Sequence, residues 1–207
     1  MLRLMEKCVV GLIVQDHGKL NIVDVSNTDL LRGSGLIEFR GSRASVSIGT
    51  PNEWGRPHII CERNSRVVIG RNCTLASLFV YAGPGASIVI GKGTGFSGGT
   101  ALTSHEANIS IGERCLFGSE THVMSSDMHA IVARRSGERI NLGADVTIHD
   151  RVWIGFRAVV LKGVTISEGA IIGTGSVVTK QVPAHCVAAG NPARVIRKDV
   201  SWTEALH

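Results

Sequence analysis

Two side chains near the middle of the chain have the types and neighbours that chemistry needs. His129 lies in the polar stretch Ser126-Asp127-Met128-His129, two residues after a carboxylate. A neutral imidazole can take a proton from a hydroxyl near pH 7, and a nearby anion can fix its tautomer and stabilise the imidazolium that forms. Residue type and spacing leave two readings open. His129 is either a general base oriented by Asp127, or a solvated histidine in a polar loop where Asp127 only caps a turn. Trp153 follows in Val152-Trp153-Ile154-Gly155. A rigid aromatic with one N–H donor can wall an extended ligand or plug a junction of the fold. The five cysteines (8, 61, 73, 115 and 186) form no CxxC pair, which indicates neither a zinc site nor a disulfide framework. Cys115 and Cys186 stay open as nucleophiles.

A repeat must position these groups. Aliphatic residues recur at every sixth place: Ile148, Ile154, Val160, Ile166, Ile172 and Val178. Four places after the first five sit Val152, Ala158, Val164, Ala170 and Ser176. Six consecutive hits at period six exclude a helix. Upstream, Ser47-Ile48-Gly49, Val68-Ile69-Gly70, Val89-Ile90-Gly91 and Ser110-Ile111-Gly112 recur every 21 residues, preceded by Ala44, Ser65, Ala86 and Ala107. Three hexads make one triangular coil of 18 residues, and the 21-residue step adds a bulge. Stacked in parallel, such coils place aliphatics in interior columns and small residues at the corners, with glycines where the backbone angle demands them.

The sequence therefore predicts an all-β chain with a parallel β-helix over 36–182. The hexads run Ile111, Phe117, Val123, then fail, and restart at Ile148. The gap, 124–147, predicts a protruding loop that carries Asp127 and His129. Trp153, one place before the inward Ile154, should point outward. Residues 1–35 are expected to form a cap or an opening coil, with strands over 8–14 and 20–25 and a turn at 16–19. Residues 183–207 are expected to form a tail with a closing strand and a short helix.

Composition agrees with this picture. The chain has 207 residues, 43% apolar but only 4% aromatic, with 25 glycines. Such a core is filled by Val, Ile, Leu and Ala. The apolar runs are far too short to span a membrane. No small-x-small cleavage site follows the first apolar run, so the start reads as mature protein. Scattered free thiols suit a reducing cytoplasm. The net charge of +5 is too mild to point to nucleic acid. It is uneven: from His129 onward there are ten basic residues against six acidic, and before it twelve against eleven.

Ser126-Asp127-Met128-His129, then Gly137-Glu138-Arg139-Ile140-Asn141, then Val152-Trp153-Ile154-Gly155, run in an order that resembles the hexapeptide-repeat O-acetyltransferases of bacterial polysaccharides, capsular ones among them. The likeness spans about 109–196. It implies a left-handed coil, acetyl-CoA as co-substrate without a metal, and a glycan hydroxyl as acceptor. It also implies His129 as base and Trp153 as a residue needed for activity. Coenzyme A would lie in a groove between subunits of a homotrimer, held by Trp153, Thr179, Lys180 and Arg194, the last three matching Val177-Val178-Thr179-Lys180 and Asn191-Pro192-Ala193-Arg194, with Thr174 and Arg197 as further carry-overs outside those motifs. Two positions depart from the family: Ala130 stands where proline often follows the histidine, and His149 where glycine is usual. Three rival readings remain: acetylation of a hydroxylated antibiotic, a non-catalytic β-helix scaffold, and a γ-class carbonic anhydrase using His105, His122 and His129. A nucleotidyltransferase lacks room for its nucleotide domain.

Overall fold

The computed structural model describes residues 11–27 and 31–205. Its strands wind into a left-handed parallel β-helix of eight coils, with three flat faces. The first face stacks Leu12–Asp16, Gly35–Phe39, His58–Cys61, Phe79–Ala82, Ala101–Ser104, His122–Met124, Val159–Val160 and Val177–Val178. The second runs from Ile22–Val25 to Thr165–Ile166. The third runs from Leu31–Gly33 through Asn52–Gly55, the single bridging residue Thr74, Gly95–Phe96, Leu116–Phe117, Trp153–Ile154 and Ile171–Ile172 to Cys186–Gly190. Among the described residues there is no helix, so none is long and apolar enough to cross a membrane. Residues 8–10 of the first expected strand, and Cys8, lie outside the described residues.

The sequence period is the pairing register. Ile48, Ile69, Ile90, Ile111, Ile148 and Ile166 pair in succession down the second face, and all are buried. Phe117, Ile154 and Ile172 do the same on the third face, and Val123, Val160 and Val178 on the first. A short two-residue strand forms few hydrogen bonds alone, so each coil depends on its neighbours for burial and pairing. Gly70 marks where coils come closest: a Cβ there would lie 2.6 Å from the Lys92 amide nitrogen in the next coil.

Three expectations need correction. The interior is not purely aliphatic: Trp54, Phe39, Phe96 and Phe117 are all buried, and the last two stack with centroids 4.6 Å apart. Left-handed corner positions are often not glycine, as at Glu106 (φ 63°), Arg114 (φ 53°) and Arg151 (φ 54°). Finally, the described residues of the tail contain no helix. Ala193–Lys198 turns back as a strand antiparallel to Cys186–Gly190, and the chain beyond Asp199 (φ 57°) is anchored by Trp202 instead.

Candidate functional site

The protruding loop leaves the first corner, where the first face turns into the second. Its base is held by the coils on either side. Glu106, at the same corner of the preceding coil, receives Arg139 in a two-pronged ion pair at 2.6 and 2.7 Å. From the following coil Lys162 donates to the Asp127 carboxylate and, at 3.0 Å, to the Asn141 carbonyl. The outer part of the loop is a small antiparallel hairpin. Val132 bridges Arg139, Ile140 N–H donates to the Ile131 carbonyl at 2.9 Å, and Ala133 N–H donates to the Glu138 carbonyl at 2.8 Å.

Asn141 ties these parts together. Its Nδ2 donates to Asp127 Oδ2 at 2.7 Å and to the His129 carbonyl at 2.8 Å. Its Oδ1 accepts from Ile131 N–H at 2.6 Å and Arg139 Nε at 3.3 Å. The amide is buried with every donor and acceptor engaged, which fixes the backbone on both sides of His129. Met128, between the two, has φ 61°, and its N–H donates to Ser126 Oγ at 3.1 Å. The His129 side chain itself is exposed.

The Asp127 carboxylate turns toward the base of the loop. Among the described residues no hydrogen bond links its carboxylate to the His129 ring; the carboxylate engages Lys162 and Asn141. The Lys162 hydrogen bond is the larger cause, and Asn141 the next, of a carboxyl held below its ordinary range. Glu106 is lowered further, to about 2, chiefly by Arg139. Lys162 and Asn141 anchor the loop that carries His129, and the sequence alone names neither. Lys162 reaches Asp127 through the coil register, and Asn141 through the fold of the loop's own hairpin.

Thr179 and Lys180 sit at the first corner two coils beyond the loop, both exposed. Thr174 is exposed at the opposite end of the first face, where the third face turns into it. Trp153 lies on the third face and points outward at 39% exposure, while Ile154 is fully buried. Its outward row continues through Ile171 and Val187 to Arg197. Arg194 stands on the same closing strand, exposed, with one guanidinium hydrogen bond to the Ala193 carbonyl. The third face is opposite the first corner of a triangular coil. One chain thus groups His129, Asp127, Thr179 and Lys180 on one side, and Trp153, Arg194 and Arg197 on the other.

The remaining candidates settle differently. Cys61, Cys73, Cys115 and Cys186 are free and buried. Burial pushes the Cys115 thiol up to about 11. His149 is exposed, and its backbone carbonyl accepts from Cys115 Sγ at 3.1 Å. Among the described residues, His105, His122 and His129 belong to no metal-binding group of three.

Residues 145–180 match the family model "Bacterial transferase hexapeptide (six repeats)". The chain is 36% identical over 123 residues to the polysialic acid O-acetyltransferase of Escherichia coli O1:K1 / APEC, a match covering 59% of this chain and 40% of that protein. The chain thus spans less than half the length of that curated relative. The crystal structure of the polySia specific acetyltransferase NeuO is similar with a TM-score of 0.88 at 30% identity, covering 94% of this chain and 90% of that one. The polysialic acid O-acetyltransferase OatWY gives 0.85 at 26% identity, covering 94% and 92%.

Proposed function

Because this chain belongs to the hexapeptide-repeat acetyltransferase family, we propose that it moves acetyl from acetyl-CoA to a hydroxyl of a bacterial surface or capsular polysaccharide, with His129 as general base. The observation that carries this reading is the Asn141 clamp. A buried amide that bonds both Asp127 and the His129 backbone holds an exposed imidazole in a fixed place on a rigid scaffold, as base catalysis requires.

His129 accepts the proton of the acceptor hydroxyl as its oxygen bonds to the thioester carbon, and returns that proton to the sulfur as the C–S bond breaks. Asp127 supports the loop rather than the ring. The co-substrate fits the row from Trp153 to Arg197, which runs three strand spacings, about 14 Å. Trp153 would wall the acyl end, and Arg194, Arg197, Lys180, Thr179 and Thr174 would meet the phosphates and amides. Cys115, buried and with its pKa raised, is a poor acyl carrier, which favours direct transfer.

A site that uses both His129 and Trp153 must be shared, since one chain carries them on opposite sides. A ring of three identical chains gives each groove one histidine corner and one tryptophan face. The hairpin's exposed Ile131, Val132, Ile140 and Leu142 supply an apolar surface for such a contact. The reaction belongs in the cytoplasm, where acetyl-CoA is made.

The test is acceptor-dependent release of coenzyme A. His129→Ala should leave no more than a few per cent of the rate, and substantial retained turnover rejects the base. A mass increase of the protein on mixing with acetyl-CoA alone rejects direct transfer. Sedimentation should give three chains per particle.

A further inference from the structure

We propose that Arg114, Arg151 and Trp202 form a subsite for the carboxylate-bearing sugar of an acidic acceptor chain, beside Trp153. The inference rests on the acetyltransferase reading and assigns it residues that would hold the acceptor. The second corner, where the second face turns into the third, stacks Arg114 and Arg151 in equivalent places of successive coils. Their amides donate to the carbonyls of Lys92 and Glu113, and both have φ near +54°. Their backbones are thus one strand spacing apart, about 4.8 Å.

The returning tail completes the site. Trp202 Nε1 donates to the Arg151 carbonyl at 2.6 Å, and Arg151 Nη2 donates to the Trp202 carbonyl at 3.3 Å. The Arg151 guanidinium lies over the Trp202 ring at 5.7 Å, and the Trp202 ring centroid is 6.2 Å from that of Trp153. The indole is therefore fixed as a wall against Trp153. A cleft of about 220 Å³ remains, lined by Arg114, Arg151, Trp202, Thr203 and Glu204. Arg114 is exposed and has no ion pair among the described residues. A free guanidinium beside an aromatic wall suits a carboxylate on a sugar ring, held by the planar fork with the ring's C–H face on the indole.

The cleft leads onward. Glu204 also borders a groove of about 380 Å³ whose floor includes Asn72, Thr74, Gly95 and Leu116. Gly95 and Thr74 continue Trp153's row away from the cofactor residues, toward the N-terminal coils. Its hydroxyl and amide groups suit the next sugars of a chain. Glu204 itself opposes an anion in the cleft, which gives the proposal a gain-of-affinity test.

Binding is measured by calorimetry on the full chain without acetyl-CoA, using a sialic acid oligomer and the same oligomer with its carboxyls reduced to alcohols. We expect the acid to bind at least tenfold tighter, Arg114→Gln to erase that difference, and Glu204→Gln to tighten the acid several-fold. Trp202→Phe keeps an aromatic wall but loses the indole donor, and should weaken both oligomers alike. Equal binding of the two oligomers, binding of neither, or an Arg114→Gln protein that still discriminates overturns the proposal. So does a loss of coenzyme A affinity in Arg114→Gln as large as the loss for the acid, which would place a phosphate there. Acetyl transfer by the wild-type chain is assayed separately. Its absence rejects the acetyltransferase reading whatever the calorimetry gives.

Discussion

Lys162 reaches from one coil to the Asp127 carboxylate at the root of the loop of the coil before it, across 35 residues of chain. The contact couples the histidine loop to the next rung of the solenoid. Lys162→Met keeps the aliphatic stem and removes the charge. Asp127 then loses the main cause of its lowered pKa. We expect turnover to fall about tenfold, the weight of one charged hydrogen bond, with an unchanged melting temperature of the coil. Steady-state rates and thermal unfolding on the same preparation check this.

Asn141→Ala removes four hydrogen bonds and leaves the His129 carbonyl and the Ile131 amide without partners. Both groups are part-buried, so each left unpaired costs about 1 kcal/mol. Amide hydrogen exchange over 127–141 should speed up by at least tenfold, while exchange in the strands on either side stays slow. Uniformly faster exchange would mean that Asn141 supports the whole coil and not the loop.

Acid should loosen the loop before it unfolds the coil. Glu106 is held at about 2 against an ordinary 4.5, and Asp127 is also lowered. Carboxyls depressed in the folded state stabilise it fully above their ordinary pKa, and that stability is lost as pH falls through the folded value. Loop protection should thus be constant above about pH 5 and fall progressively from there toward pH 2. Glu106→Gln should flatten that acid limb. An unaltered limb would place the titration elsewhere.

Trp153 and Ile154 are adjacent in sequence and opposite in role. Ile154→Ala opens a cavity in the column between Phe117 and Ile172, and should cost about 2–5 kcal/mol in urea unfolding. Trp153→Leu should change stability little and raise the KM for acetyl-CoA at least tenfold. A large stability loss from Trp153→Leu would make it a structural plug.

The repeat was legible because burial imposes it. The column from Ile48 to Ile166 needs an aliphatic at each coil, and any slip turns it to solvent. The failure of the hexads after Val123 located the loop for the same reason. The residues that hold the loop carry no such period. Asn141 meets Asp127 across 14 residues, Arg139 meets Glu106 across 33, and Trp202 meets Arg151 across 51. These polar contacts depend on how the loop folds and on which corners the coils and the tail bring together, and no local pattern records that. Two-residue spacing left Asp127 either beside the imidazole or capping a turn, and its carboxylate instead engages a lysine on the next coil.

The equal rise of the coils has a consequence for length. Every coil advances the molecule by one strand spacing, about 4.8 Å, whether it contains 18 residues or 21. The span from Trp153 to the N-terminal rim is therefore graduated like a ruler. Adding or removing one 21-residue unit upstream of Ile88 would lengthen or shorten the third-face groove by one graduation. The histidine loop would keep its corner and both of its anchors.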